Sequence, residues 1–318
     1  MNEAVERHAG LDAVMARAPS ENFPVALRML PRAVQGHLRA IYGYARLVDT
    51  LGDEYPGDRL AALDWVEAQL DDLFAGAPRH EAFVRLAPTV ERFGLGRDPF
   101  DGLLAANRLD QHKTAYADFD ELMGYCELSA SPVGRLVLAV FEAATPDRLR
   151  ASDQVCSGLQ VLEHLQDVGE DAANGRVYLP ADDMERFGVC VEDLGAPAAS
   201  ANLRGLVAYE ASRARSMLDQ GRGLAASLRG PARLAVAGFV AGGLANLDAL
   251  EAARYEVLGA PRKAGAARVL GRLAGVYSHR ERRRRAKPGA ARARGRIAGM
   301  RLSRVSLSGA ARRGAVSR

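Results

Sequence analysis

The chain is poor in what a sheet, a disulfide scaffold or a membrane span would need. Its 318 residues hold three cysteines, one tryptophan and 6% aromatics. Cys126, Cys156 and Cys190 are too few and too scattered for a disulfide framework or a zinc site, so they read as reduced thiols of a cytoplasmic protein. Alternating runs of Val, Ile and Thr are missing, and no sheet is expected. The longest uncharged apolar run is Leu234 to Leu247, 14 residues, where a bilayer span takes roughly 20. It reads as a buried helix. The opening MNEAVERHAGLDAVM carries acids and no apolar core, unlike a secretory signal. Acid is scarce in one place: from Arg262 to Arg318, Glu281 stands alone among 18 Lys and Arg, a balance of +17. The remainder carries −13, so the net +4 and the pI of 9.1 conceal an acidic body with a basic tail.

What is present is helical. The chain is 48% hydrophobic and 26% charged, an ordinary globular balance. Leu38, Tyr42, Ala45, Asp49 and Asp53 fall at 3.6-residue spacing, as do Leu60, Leu63, Val66, Leu70 and Leu73. Further helices are expected at about 79–93, 99–114, 119–143, 147–172, 200–228 and 231–258. Pro56-Gly57, Gly76-Ala77-Pro78, Gly94-Leu95-Gly96, Thr145-Pro146 and Gly230-Pro231 separate them. Some eight helices in one unit imply a single large all-α bundle. The expected limits are an N-terminal extension over 1–19, a helical domain over 20–262 and a basic, disordered tail over 263–318.

Two acidic clusters carry the chemistry. Asp49 and Asp53 are four apart and continue the apolar stripe of Leu38, Tyr42 and Ala45. Glu163, Asp167 and Asp171 repeat that spacing about 118 residues later. Carboxylates turned into a bundle are costly unless compensated, and a hard divalent cation is the natural compensation. A di-iron bundle would need Glu-x-x-His pairs, whereas Glu163 and His164 are adjacent. His164 reads as a packing residue.

These segments resemble the squalene/phytoene synthase family, the head-to-head prenyl synthases of the all-α isoprenoid (terpenoid) synthase fold. The resemblance rests on Tyr42 through Glu54, Tyr125-Cys126 to Val133-Gly134, Leu159 through Asp171, Gly175-Arg176-Val177-Tyr178-Leu179-Pro180 and Arg186-Phe187-Gly188, and spans residues 20 to 262. It implies a central cavity, Mg²⁺ held by Asp49, Asp53, Asp167 and Asp171 with Glu163 as a further ligand, and a prenyl diphosphate substrate. Tyr42 and Tyr125 match site-lining tyrosines that stabilise a carbocation; core packing serves them equally. Phe23 matches a cavity position. Ala130, Val133 and Gly134 match the small-residue stretch along the prenyl chain, and close helix packing would use the same residues. Arg46 would grip phosphate or form a salt bridge to an aspartate. Gln160 would orient phosphate or water, and Arg176 and Tyr178 lie near the diphosphate end.

Asn22-Phe23-Pro24-Val25-Ala26, Pro132 to Leu138 and Gln166-Asp167-Val168 resemble a bacterial branch that takes presqualene diphosphate to hydroxysqualene by losing diphosphate and adding water. That role would pair the protein with a presqualene diphosphate synthase and a flavin-dependent reductase in squalene/hopanoid biosynthesis. Glu163 and Gln166 stand where the family usually has Asn and Arg, which disfavours holding two diphosphates. A family tyrosine is missing near Gly243-Leu244, and its late arginine pair is displaced to Arg262-Lys263. The competing readings are head-to-head condensation and a non-catalytic helical assembly partner. For the tail, no specific nucleic acid is expected, because Tyr277 is its one aromatic. Peripheral attraction to anionic lipid on the inner face of the membrane fits its charge better.

Overall fold

The computed structural model describes residues 5–6, 8–10, 30–259 and 263–279. One compact unit runs to Glu281; residues 282–318 form a second unit, outside the described residues. Phe23, Asn22 and Arg262 also lie outside them.

From Arg32 on, the described residues form twelve α-helices, and there is no strand among them. They are α1 (Arg32–Asp49), α2 (Arg59–Phe74), α3 (Glu81–Phe93), α4 (Asp98–Leu109), α5 (Phe119–Ser129), α6 (Ser131–Val140), α7 (Pro146–Gln166), α8 (Val168–Ala173), α9 (Ala181–Phe187), α10 (Ala201–Ser227), α11 (Gly230–Ala252) and α12 (Ala266–Ser278). Their starts follow capping chemistry. The side chains of Asp58, Asp118 and Ser200 accept from the backbone N–H groups of Ala61, Glu121 and Leu203 at 3.0, 2.8 and 3.1 Å. Gly94 and Gly188 end α3 and α9 in the left-handed region, at φ 57° and 64°.

Two hydrophobic cores form. The first gathers α1 to α4 with α6, through residues such as Leu38, Leu47, Leu63, Phe83 and Phe100. The second gathers α5 and α7 to α11, through Val161, Leu165, Leu206, Leu218 and Leu244. Helix α7 is the spine, lying along α6, α10 and α11. Helix α11 is the one described helix long and apolar enough to cross a bilayer, and 67% of its apolar window is buried in the bundle. That matches the buried helix expected from Leu234 to Leu247.

Three expected boundaries shift. The 119–143 stretch breaks at Ala130, whose backbone (φ −114°, ψ −46°) ends α5 before Pro132 starts α6. The 147–172 stretch breaks at Asp167 (φ −108°, ψ 13°) into α7 and α8. Residues 266–278, assigned to the tail by composition, form α12 against α11. There Val276 is wholly buried, so the apolar positions of an Arg/Ala/Gly-rich stretch suffice for one docked helix.

Candidate functional site

The first acidic motif does not continue α1 as an α-helix. Thr50–Glu54 forms a π-helical turn, a departure often found at functional sites. Helix α4 is what it fits against. Asn107 Nδ2 donates to Asp49 Oδ1 at 3.2 Å and to Leu103 O at 3.2 Å. Gln111 Nε2 donates to Gly52 O at 3.0 Å. A Cβ at position 52 would come within 2.2 Å of Asn107 Oδ1, so any other residue there must displace the Asn107 side chain.

The carboxylates of the motif differ. Asp49 is partly covered, and burial pushes its pKa up to about 7; the Asn107 hydrogen bond and Arg46 oppose this, while Asp53 and Glu163 add to it. Asp53 is 45% exposed and accepts from Arg176 Nη2 at 2.8 Å. Glu163 of α7 also acts electrostatically on Asp49, and the Arg176–Asp53 contact brings the loop after the second motif to the first.

The second motif is less inward than its spacing suggests. Glu163 is exposed, while Asp167 and Asp171 are partly buried. The buried face of α7 runs through Val161, Leu162, His164 and Leu165 instead. The kink at Asp167 keeps the turn spacing, with Asp171 N donating to Asp167 O at 2.8 Å. Burial raises the Asp167 pKa, the neighbouring Asp171 and Glu170 raise it further, and Lys263 is among the cations opposing them.

Beneath the carboxylates is an aromatic stack. His164 lies flat on Tyr178, centroids 3.7 Å apart at 12°, and Tyr178 stacks on Tyr116 at 5.6 Å. His164 is a buried packing residue, as its sequence position suggested. Its Nε2 is 3.2 Å from Gln160 Nε2, and its Nδ1 is 3.8 Å from Asp171 Oδ2. Tyr125 Oη donates to Asp110 Oδ2 at 2.8 Å, and Tyr178 Oη to Asp110 Oδ1 at 3.4 Å. Burial raises the Asp110 pKa against the Tyr125 hydrogen bond and the Arg176 charge. Burial also raises both tyrosines, with Asp110 adding to it, and they stay neutral donors. A pocket of about 10 Å³ sits here among His164, Asp171, Arg176 and Tyr178.

Other expected residues separate. Tyr42 is buried on α1. Arg46 pairs with Glu54 at 3.4 Å and acts electrostatically on Asp49. Gly134 serves helix packing, since a Cβ there would sit 2.4 Å from Ser152 Oγ and 2.5 Å from Cys156 Sγ of α7. Ala130 is buried at the α5–α6 break, and Val133 packs on the first core. Gly243 likewise meets Leu159 and Leu218, each 2.7 Å from its would-be Cβ.

Sequence reading missed Asn107, Asp110 and Gln111. Their clustering at and just beyond the C-terminal end of α4 was the available signal: polar groups there need partners. Among the described residues no three His, Cys, Asp or Glu side chains form a ready cluster for a metal ion. The donor set at the facing motifs is carboxylate oxygen, the type that Mg²⁺ takes. The raised pKa of Asp49 comes first from burial, with Asp53 and Glu163 adding to it.

The squalene/phytoene synthase family model matches residues 16–270. The hydroxysqualene synthase of Sinorhizobium fredii is 37% identical over 215 residues, covering 66% of this chain and 72% of that protein. The 15-cis-phytoene synthase of Synechocystis is 33% identical over 253 residues, 75% of each chain. The crystal structure of squalene synthase HpnC from Alicyclobacillus acidocaldarius superposes with a TM-score of 0.72 at 38% identity, covering 77% of this chain and 94% of that one.

Proposed function

The protein belongs to the squalene/phytoene synthase family, and on that premise we propose that it converts presqualene diphosphate to hydroxysqualene in a Mg²⁺-dependent reaction. The observation that carries this reading is the Arg176–Asp53 contact of 2.8 Å, which folds the loop after the second motif onto the first. Both acidic motifs then address one leaving group. The likeness to a hydroxysqualene synthase and the Glu163 and Gln166 replacements support a single diphosphate over two.

In this reading Asp49, Asp53, Asp167 and Asp171, with Glu163, hold the metal ions. Bound there, Mg²⁺ supplies Lewis-acid stabilisation of the departing diphosphate. Arg176 turns from Asp53 towards phosphate oxygens, and Arg46 adds a second guanidinium. The carbon–oxygen bond breaks with its electron pair leaving on diphosphate. The cation rearranges, and water adds to it with loss of a proton. Tyr42 and Tyr125 offer aromatic faces to the cation, and Tyr178, already stacked on His164, serves the diphosphate end. Asp110 positions Tyr125 and Tyr178 by accepting from both hydroxyls. Gln160 would orient phosphate or water.

Incubation with Mg²⁺ and either presqualene diphosphate or farnesyl diphosphate tests this. Hydroxysqualene from presqualene diphosphate supports it. Consumption of farnesyl diphosphate alone overturns it in favour of head-to-head condensation. In the supported case Asp49→Ala or Asp167→Ala abolishes turnover with helical content intact.

A further inference from the structure

Helix α12 is fixed to the body along one side and unpartnered along the other. Asp248 of α11 accepts from Arg272 Nε and Nη2, both at 2.6 Å, and from Arg215 Nη1 of α10 at 3.0 Å. Arg233 lies over the Tyr277 ring at 4.6 Å and donates to Tyr277 O and, at 3.2 Å, to His279 O. Val276 is wholly buried beneath the helix. The helix is therefore a held platform whose outer side is set by its register.

That outer side is apolar. Ala267, Leu270, Ala274 and Tyr277 follow one another at spacings of three, four and three, so they share a face, and all four are exposed. Leu270 is 63% and Tyr277 44% exposed, two of the five large hydrophobic residues exposed among the described residues. Exposed Lys263 and Arg268 flank the ridge, and no acid occurs from Val257 to Arg280. The helix leads directly into residues 280–318, which contain 14 Lys and Arg and a single acid, Glu281.

We propose that the outer face of α12 docks the protein on an anionic lipid surface, with Leu270 and Tyr277 entering the interface and the flanking Lys263 and Arg268 facing the headgroups. An apolar ridge backed by cations matches a surface that offers both acyl chains and negative charge. Nucleic acid offers no counterpart for Leu270, and the Tyr277 ring that could stack on a base already carries Arg233. The inference does not depend on the reaction catalysed.

The test is co-sedimentation of the full-length protein with phosphatidylcholine vesicles, with and without phosphatidylglycerol. The expected result is binding to the anionic vesicles only, weakened by salt. Leu270→Glu is expected to reduce vesicle affinity about tenfold, with unchanged circular dichroism and turnover of detergent-dispersed substrate. Equal binding of wild type and Leu270→Glu overturns the role of α12. Equal binding to neutral vesicles overturns the electrostatic part. Binding to duplex DNA without vesicle binding overturns the assignment of lipid.

Discussion

Arg176 and Asp53 are 123 residues apart in sequence and 2.8 Å apart in the fold. The pair ties the loop after the second acidic motif to the first, and the Asp110–Tyr125–Tyr178 cluster lies beside it. Arg176→Ala is expected to lower kcat about 10- to 100-fold, as loss of a group that orients metal-binding carboxylates does. With Asp53→Asn added, the combined loss should be well short of additive, because the residues act together. Steady-state kinetics of the two single variants and the double variant check this; simple additivity contradicts it.

Asp49 gives a pH dependence with a definite sign. Burial holds its proton until about pH 7 in the absence of metal. A metal-binding carboxylate must be ionised, so Mg²⁺ binding competes with that proton. The apparent Mg²⁺ affinity should fall about tenfold for each pH unit below 7 and level off above it. Calorimetric titration in buffers of different ionisation enthalpy should show proton release near pH 6 and almost none at pH 8.5. Asp49→Asn should abolish the release.

Gly52→Ala tests the fit of the π-helical turn against α4. The new Cβ would meet the Asn107 side chain at 2.2 Å. Overpacking of this kind destabilises by about 1–3 kcal/mol. It also breaks the Asn107–Asp49 hydrogen bond, so Mg²⁺ affinity and turnover should fall together. Adding Asn107→Ala should recover stability, as seen in urea midpoints, without recovering activity.

A second buried carboxylate predicts a stability profile. Glu210 is 1% exposed, and Arg213 Nη1 donates to it at 2.9 Å and to Asp183 at 2.6 Å. Burial pushes the Glu210 pKa from 4.5 up to about 7, with Arg213 opposing and Asp183 reinforcing the rise. The folded chain thus binds more protons than the unfolded one between those values. Stability should fall as pH rises from about 4.5 to 7 and change little above that. Glu210→Gln, which imitates the protonated acid, should be more stable than wild type at pH 8 by roughly 1–3 kcal/mol and not at pH 4.5. Urea denaturation at both pH values decides; equal effects at both contradict it.

The sequence made the helices and the two acidic motifs legible, because both rest on local periodicity. Leu38 to Asp53 and Leu60 to Leu73 follow a 3.6-residue rhythm that needs no tertiary information. The exceptions came from contacts. The π-helical turn at Thr50–Glu54 fits the Asn107 side chain, and the break at Asp167 changes which carboxylates face inward. Glu163 read as buried by spacing and is exposed, since His164 takes the inward position. Gly134 read equally as tunnel lining or close packing, and a Cβ there would meet Ser152 and Cys156. Asp110 was invisible for the same reason: its value lies in two tyrosine hydroxyls, 15 and 68 residues further along the chain. Helix α12 was hidden by the basic composition around it.

The most direct test of the proposed reaction is a single-turnover incubation with Mg²⁺ and presqualene diphosphate in ¹⁸O-labelled water, followed by mass analysis of the lipid product. The account predicts a C30 alcohol carrying one ¹⁸O atom, with no turnover of farnesyl diphosphate offered alone. Untouched presqualene diphosphate, or a hydrocarbon or presqualene diphosphate formed from farnesyl diphosphate alone, would contradict it.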